Sequence, residues 1–589
     1  MTPLSPVTQP DALAASSPHV VDSRRLFGPN LYSARCGAVL EVSAEPTDLF
    51  ASRIAAWRTH AAAMVRALEW GEPDLHVRLQ SGGATLFLAA PPDVLLTATE
   101  VNEQAWAGAE SRDARAAPDT AIEALLAMAH VERQAHSQLG AVVAEAAARG
   151  VSATFDGEWL TIGSGTGSLT WATGAVPAPG DVVWSVVHDV PVALVTGSNG
   201  KTTTTRLLAA MWRSAGVVPG WCCSDGVFAG DVKLDDGDFS GPAGARTVLR
   251  QTNIGAVVLE TARGGILRRG LATSRADAAI VTNVSADHFG EYGISTLAEL
   301  AEVKAVVARA LGAGPLVLNA ADPLLIDLSE RHGGAVVWFS ALNDVAVMDA
   351  HVDAGGDAAV LRNGRAMLHR AGEWHDLGNV REMPLTLSGT APHNIENLLG
   401  AALLASVLGI PVHAIRSTMA VFGATVADNP GRLQVHRYGA MTVLVDYAHN
   451  PDGLAALCQT ARATPRQRTV LLLGQAGNRD DAEIRALARS AMAVLSFDLV
   501  IVKEELALLR GREPGDVPRV LADELLRLGV PSDRIELVPS ELDGVKRAFA
   551  WAEDGDLLVC PIHAEKVEVL AWLTRLTSSG WRAGDLLPD

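Results

Sequence analysis

The stretch VALVTGSNGKTTTTRLLAAMW, Val192 to Trp212, decides the fold. Its opening residues form the apolar run of a buried strand, its glycines a turn, and KTTTTRLLAAMW a helix. Successive backbone N–H groups in a glycine turn, added to the start of a helix, make an anion nest. Gly197, Asn199 and Gly200 let the chain curl round phosphate oxygens, Lys201 reaches terminal phosphates, and a hydroxyl from Thr202 or Thr203 is placed for Mg2+. The spacing departs from the Walker form, since the residue five before Gly200 is Val195 rather than glycine. A nucleotide phosphate loop still explains the whole string better than a plain glycine turn.

The strand–loop–helix pattern continues downstream. PVALVTG, GAVVLET, DAAIVTN and GPLVLNA are near-continuous apolar runs, which predicts a parallel sheet covered on both faces. Turn formers interrupt the pattern at VADNPGR, Val426 to Arg432. A second α/β series then runs MTVLVDYA, RTVLLLG, DLVIVKE and DLLVCP. Two α/β domains in tandem, joined near residue 428, are therefore expected. Upstream, HVRLQ, ATLFLAA and VLLTATEV read as short strands beside the Ala-rich helix AIEALLAMAHVERQAHSQLGAVVAEAAARG, an α+β domain.

With 589 residues the chain exceeds one core, and its 48% apolar and 20% charged composition is that of a globular protein. A net charge of −19 argues against a nucleic-acid or anionic membrane partner and is compatible with a cationic small substrate. Five cysteines without a CxxC pair imply a reduced, cytoplasmic compartment, and the adjacent Cys222 and Cys223 read as buried apolar filler. The first residues lack a basic segment and an apolar centre, so residues 1–23 are expected to be a disordered tail rather than a signal. No apolar run reaches the ~18 residues of a membrane span.

Ligands of open parallel sheets sit beyond the carboxyl ends of the strands. Glu260 ends GAVVLE, Asn283 ends AAIVTN, His288 follows in the next loop, and Asp446 ends TVLVD of the second series. A carboxylate such as Glu260 suits a hard cation. Lys304 lies in the amphipathic TLAELAEVKAVVARAL, where spacing alone places it on the surface.

Together these strings resemble the Mur ligase superfamily, ATP-dependent enzymes that join a carboxylate to an amine through an acyl phosphate. TGSNGKTT is similar to its phosphate loop, TNVSADHFG to its TNxxxDHLG segment, PHNIENLLGAALLA to its HNxxN helix, and NPGRLQ and DYAHNP to its C-terminal entry. Within the superfamily, LETARGGILRRGL, SDGVFAGDVKLDDGDFSGP and VKEELALLRGREPGD resemble the C-terminal half of the cyanophycin synthetase family, and RLFGPNLYS and ATEVNEQAWAG its N-terminal domain. That family inserts an ATP-grasp domain between the two parts. Here Ser137 to Ala172 resembles only its opening, and about 18 residues separate this from Pro191, against a domain minimum of ~50. The resemblance thus implies a relative with one ligase centre in place of two.

The implied fold is α/β: a Mur-ligase-like central P-loop domain with a parallel sheet (181–428) and a Rossmann-like C-terminal domain (429–589). An α+β N-terminal domain (24–136) and a remnant or linker (137–180) come before them. The resemblance implies that Thr196, Gly197, Ser198, Asn199, Gly200, Lys201, Thr202 and Thr203 hold ATP phosphates, with Thr202 on Mg2+. It implies Glu260 and His288 as further metal ligands, and Lys304 as a position that several relatives carbamylate. Asn394 and Asn397 are expected at the adenine end, and Arg432 and Asp446 close over the nucleotide. Asp225, Asp238, Arg263 and His449 are substrate-side candidates. Glu100 and Glu103 are candidates for a primer-trimming site on the N-terminal domain, with solvated carboxylates the plainer reading. CCSDG and GQAGNRDD depart from the family pattern and leave the amine least defined.

The expected reaction is ATP- and Mg2+-dependent amide formation between an amino acid, arginine as first guess, and an aspartate- or glutamate-type carboxylate. Folate- or poly-γ-glutamate-type ligation and a non-catalytic scaffold for a full-length synthetase are the competing readings. A homo-oligomer is expected.

Overall fold

The computed structural model describes residues 18–44, 47–109, 119–286, 289–342 and 345–588. The first domain is built on an antiparallel sheet in the order His19–Leu26, Gly37–Ser43, Gly83–Ala89, Leu75–Gln80. Its first strand starts at His19, inside the stretch expected as a tail; residues 1–17 lie outside the described residues. Helices Asp48–Ala67 and Leu95–Gly108 pack on the sheet. A buried asparagine stitches the three together. Asn102 Oδ1 accepts from Trp57 Nε1 at 2.9 Å, and its Nδ2 donates to the carbonyls of Leu86 and Ala38.

VLLTATEV, expected as a strand, is instead the start of helix Leu95–Gly108. Its buried Leu95, Ala98, Val101 and Ala105 recur every three or four residues, a helical period that the short apolar run conceals. The Glu132 carboxylate caps this helix, accepting from the backbone N–H groups of Leu96 and Thr97 at 2.8 Å each. The Ala-rich segment is two helices, Asp119–Ala135 and Leu139–Ala148, rather than one. Residues 137–180 do not form an open linker. Helix Leu139–Ala148 and the small antiparallel sheet Ala153–Phe155, Trp159–Ile162, Leu169–Ala172 bury Leu139, Val142, Leu160 and Ile162 in the core of the first domain.

The middle domain is an eleven-stranded sheet. At its centre, Pro219–Cys223, Ala256–Glu260, Val192–Thr196, Ala278–Val281, Leu316–Asn319, Val336–Ser340 and Ala358–Arg362 run parallel in that order. Antiparallel strands extend both edges. Val192–Thr196 alternates between two cores. Ala193 and Val195 face the helices Lys201–Ser214 and Pro392–Val407, while Val192 and Leu194 face the side covered by Leu297–Ala305. This two-sided burial is why the strand reads as a continuous apolar run.

The C-terminal domain is a six-stranded sheet in the order Gln434–Tyr438, Met441–Asp446, Leu557–Pro561, Thr469–Leu473, Leu499–Lys503, Ile535–Val538. Every strand but the first runs parallel to its neighbour. The expected α/β architecture, with an α+β domain before it, is the one observed. Among the described residues no helix is long and apolar enough to cross a membrane.

Candidate active site

All three domains line one cleft of about 1470 Å3, open at the carboxyl ends of the central parallel strands. At its floor the chain leaves strand Val192–Thr196, turns through Gly197 to Gly200 and enters helix Lys201–Ser214. Glycine is required twice. Gly200 has φ +84°, and a Cβ there would lie 2.1 Å from Asn397 Oδ1; a Cβ on Gly197 would lie 1.8 Å from Thr282 Oγ1.

The loop is braced by the segment after strand Ala278–Val281. Thr282 Oγ1 donates to the Asn199 carbonyl at 2.6 Å, Asn283 Oδ1 accepts from Asn199 N at 2.9 Å, and Ser198 Oγ accepts from Ser285 N at 2.9 Å. Lys201 Nζ folds back onto the Ser198 carbonyl at 2.9 Å. Thr196 is buried beneath the loop, and Thr203 Oγ1 accepts from Asn429 Nδ2 at 3.1 Å.

Beside the loop, Thr202 Oγ1 donates to Glu260 Oε2 at 2.9 Å and lies 3.1 Å from Ser224 Oγ. Glu260 is 2% exposed, and burial pushes its carboxyl up against the pull of Lys201 and Arg432. A buried carboxylate with two hydroxyl oxygens is an all-oxygen donor set, which fits a hard divalent cation and gives this buried acid a reason to be there.

The C-terminal domain reaches the same place. Arg432 Nη2 donates to Ser224 Oγ at 2.9 Å, its guanidinium lies 4.2 Å from the centre of the Tyr447 ring, and its Nε is buried with no partner among the described residues. Asp446 Oδ2 accepts from Leu433 N at 2.6 Å, fixing the turn that carries Arg432. Asn450 Nδ2 donates to Asn199 Oδ1 at 3.0 Å. Lys566 donates to Asp225 Oδ1 at 2.6 Å across the domain boundary. Burial raises the Asp225 carboxyl, but Lys566, Arg432 and Arg206 outweigh it and hold it below its ordinary value. Arg206 also donates to the carbonyls of Ala427 and Asp428, tying the phosphate-loop helix to the interdomain segment.

The other expected residues fall as follows. Asn394 and Asn397 are buried under the loop, joined by an Asn397 Nδ2 to Asn394 Oδ1 bond of 3.1 Å, with Asn397 Oδ1 backing Gly200. Asp238 accepts from Ser240 Oγ at 2.6 Å at the cleft wall. Arg263 pairs with Glu291, which also accepts from Asn478 of the C-terminal domain at 2.9 Å. His449 lines the cleft, its Nδ1 3.0 Å from the Tyr447 carbonyl.

Lys304 corrects the surface expectation, since it is 3% exposed and lines the cleft. Glu100 and Glu103 stand on helix Leu95–Gly108, apart from the residues lining the cleft. His288 lies outside the described residues. Cys222 and Cys223 are buried, with burial pushing the Cys223 thiol up to about 12.

Sequence reasoning passed over a charged knot at the C-terminal wall. Lys503 is wholly buried between Glu541 and Glu505, the latter 3.0 Å away, and His563 Nδ1 lies 2.6 Å from Glu505 Oε1. Burial raises the Glu505 carboxyl, but Lys503 and His563 outweigh it and hold it far below its ordinary value. Glu505, Glu541 and His563 are spaced as metal ligands could be, yet the Lys503 ammonium already supplies the cation there. The one signal was a charged KEE closing the apolar strand DLVIV.

Residues 195–405 match the Mur ligase middle domain, and residues 431–561 match the Mur ligase, glutamate ligase domain. These two domains belong to the Mur ligase family. Among curated relatives, a cyanophycin synthetase of Nostoc sp. is 36% identical over 376 residues, covering 63% of this chain and 41% of its own length. The chain thus spans about two fifths of that relative. A UDP-N-acetylmuramoyl-L-alanyl-D-glutamate–2,6-diaminopimelate ligase of Geobacillus kaustophilus is 25% identical, covering 63% of this chain and 73% of its own length. Among solved structures, E. coli FolC in complex with ADP matches with a TM-score of 0.49 and 20% identity, covering 66% of this chain and 90% of that one. The Mur ligase matches run through the phosphate loop and most of the cleft lining that the middle and C-terminal domains supply.

Proposed function

We propose that this protein is an ATP-dependent, ADP-forming carboxylate–amine ligase that works through an acyl phosphate. The observation that carries the reading is convergence: the loop bearing Lys201, the Thr202–Glu260 pair, and Arg432 and Asn450 of the second Mur ligase domain meet at one point. Backbone N–H groups of Gly200 to Thr203 hold the phosphates, those of Ser198 and Asn199 being given to Asn283. Lys201 exchanges its bond to the Ser198 carbonyl for phosphate oxygens. Thr202 and Glu260 would hold Mg2+, which when bound would offset charge on the triphosphate.

A carboxylate oxygen of the acceptor attacks the γ-phosphorus, the bond to the bridging oxygen breaks, and ADP departs. The amine nitrogen then attacks the acyl carbon, and the acyl C–O bond breaks to release inorganic phosphate and a proton. Lys201 and Arg432 stabilise charge on the transferred group, and the closed C-terminal domain excludes the water that would hydrolyse the acyl phosphate. Lys304, buried in the cleft, and His288 are the remaining candidates for the phosphoryl side.

The amine is an amino acid, arginine first, and the acceptor an aspartate- or glutamate-type carboxylate. The 36% identity to a cyanophycin synthetase supports that choice. Lys201→Ala is expected to abolish ADP release when carboxylate and amino acid are supplied together. Undiminished turnover would remove this site from the reaction.

A further inference from the structure

Asp225, expected on the substrate side, stands behind the cleft wall rather than among the residues lining it. It occupies the turn between strands Pro219–Cys223 and Gly226–Ala229, next to Ser224, which reaches Thr202 and Arg432. Lys566, at the start of helix Lys566–Ser579 in the C-terminal domain, donates to Asp225 Oδ1 at 2.6 Å. Asp225 Oδ2 faces Arg206 Nη1 of the phosphate-loop helix at 3.9 Å. Arg206 is held there, because its Nε and Nη2 are bonded to the carbonyls of Asp428 and Ala427. The Lys566 stem crosses Gly431, where a Cβ would lie 2.8 Å from Lys566 Cε. Gly431 has φ +68° and precedes Arg432, so the lysine packs on the turn that presents this guanidinium to Ser224.

The charges here do not balance without Asp225. Lys566, Arg432 and Arg206 all act on its carboxylate. Burial pushes the Lys566 ammonium down and the two arginines push it the same way, with Asp225 opposing them. Nearby acids are engaged elsewhere. Glu260 draws on Arg432 from the metal side, where it accepts from Thr202, while Asp236 pairs with Lys233 and Asp238 accepts from Ser240. Cations held together across a partly buried boundary repel unless an anion stands between them. The Asp225 and Lys566 side chains are only 12% and 19% exposed, so salt screens the pair little.

We infer that Asp225 and Lys566 are positioning residues, whose ion pair latches the C-terminal domain onto the phosphate-loop domain and so sets Arg432 for the phosphoryl group. Neither touches nucleotide or amino acid. With the latch made, less of the nucleotide's binding energy goes into closing the domains. The inference rests on the ligase reading for the task of Arg432, whereas the latch itself is read from ADP binding and molecular dimensions.

The test titrates ADP calorimetrically into wild type, Lys566→Met, Lys566→Arg, Asp225→Asn and the double variant Asp225→Asn with Lys566→Met, with melting curves to check folding. Lys566→Met is expected to weaken ADP about tenfold, and Lys566→Arg, which keeps the charge, to stay within about threefold of wild type. In the Asp225→Asn background the sign reverses. Removing the lysine there relieves repulsion from Arg206 and Arg432, so the double variant should bind ADP about threefold more tightly than Asp225→Asn alone. Small-angle scattering of the nucleotide-free protein should give a larger radius of gyration for Lys566→Met than for wild type. In turnover the KM for ATP rises, while kcat and the amino-acid KM stay within about twofold; a substrate-contacting Asp225 would move the amino-acid KM instead. Unchanged ADP affinity in Lys566→Met, or a loss as large in the Asp225→Asn background as in wild type, overturns the latch. Should Asp225→Asn unfold, the contrast between Lys566→Met and Lys566→Arg decides it. If ADP affinity follows the latch while no carboxylate and amino acid yield ADP from ATP, the ligase reading fails and the latch stands.

Discussion

Replacing Gly200 with alanine strains the phosphate loop in two separable ways. The first is conformational. At φ +84° an alanine pays ~1–2 kcal/mol for the left-handed region. The second is steric. The new methyl group would stand 2.1 Å from Asn397 Oδ1, so Asn397 must turn away and give up its bond to Asn394, worth ~0.5–1.5 kcal/mol. Together they come to ~2–3 kcal/mol. A loop that relaxes away from its nest must be pulled back by nucleotide, so ADP affinity is expected to fall by about thirty- to a hundred-and-fiftyfold.

Titration calorimetry of ADP on Gly200→Ala, Asn397→Ala and the double variant separates the two terms. Asn397→Ala removes the clash and leaves the conformational term, so the double variant should bind better than additivity predicts by ~1 kcal/mol. Wild-type affinity in Gly200→Ala would refute the nest, and strict additivity would refute the role given to Asn397.

Glu260→Gln should abolish ADP release yet leave the nucleotide-free protein at least as stable as wild type at pH 7. The raised carboxyl pKa means the folded state holds its proton more tightly, so wild type loses stability as pH rises from the ordinary value near 4.5 through the raised folded value. The gap in melting temperature should therefore close below about pH 4.5, and a variant less stable than wild type at pH 7 would contradict the assignment. Lys503→Met strands Glu505 and Glu541 without their internal cation and should cost ~3–5 kcal/mol in urea unfolding of the C-terminal domain; a loss under ~1 kcal/mol would deny the ammonium that role.

Much of the scaffold is legible because both Mur ligase domains bury their strands on two faces. VALVT, AVVLE, AAIV and LVLN, and later VLVD, TVLLL, LVIV and LLVC, are strands wherever they are apolar and continuous. Pro219–Cys223, which contains a proline and a glycine, carries no such signal. VLLTATEV misleads because eight residues are too few to tell a buried strand from the first turns of a buried helix.

The convergence of Lys201, Thr202, Glu260, Arg432 and Asp446 on one cleft follows from their places at strand ends and loops, which topology fixes. Lys304 was hidden because a helical period shows which face is apolar, but not which polar residue is turned inward to a cleft. Arg246 of the middle domain, 6% exposed, gave no sign at all: the Phe27 ring that covers its guanidinium at 5.3 Å is more than two hundred positions away, and a burial made by another domain leaves no local pattern.

Asn199 has a consequence for measurement. Its side chain lies between Ser285 of its own domain and Asn450 of the next, so the loop is fully held only when the two domains are together. Loop order and interdomain approach then form a single equilibrium. By linkage, whatever favours the approach must tighten nucleotide by the same factor that nucleotide favours the approach. An ATP dissociation constant for this protein is accordingly also a reading of how often its two halves have met.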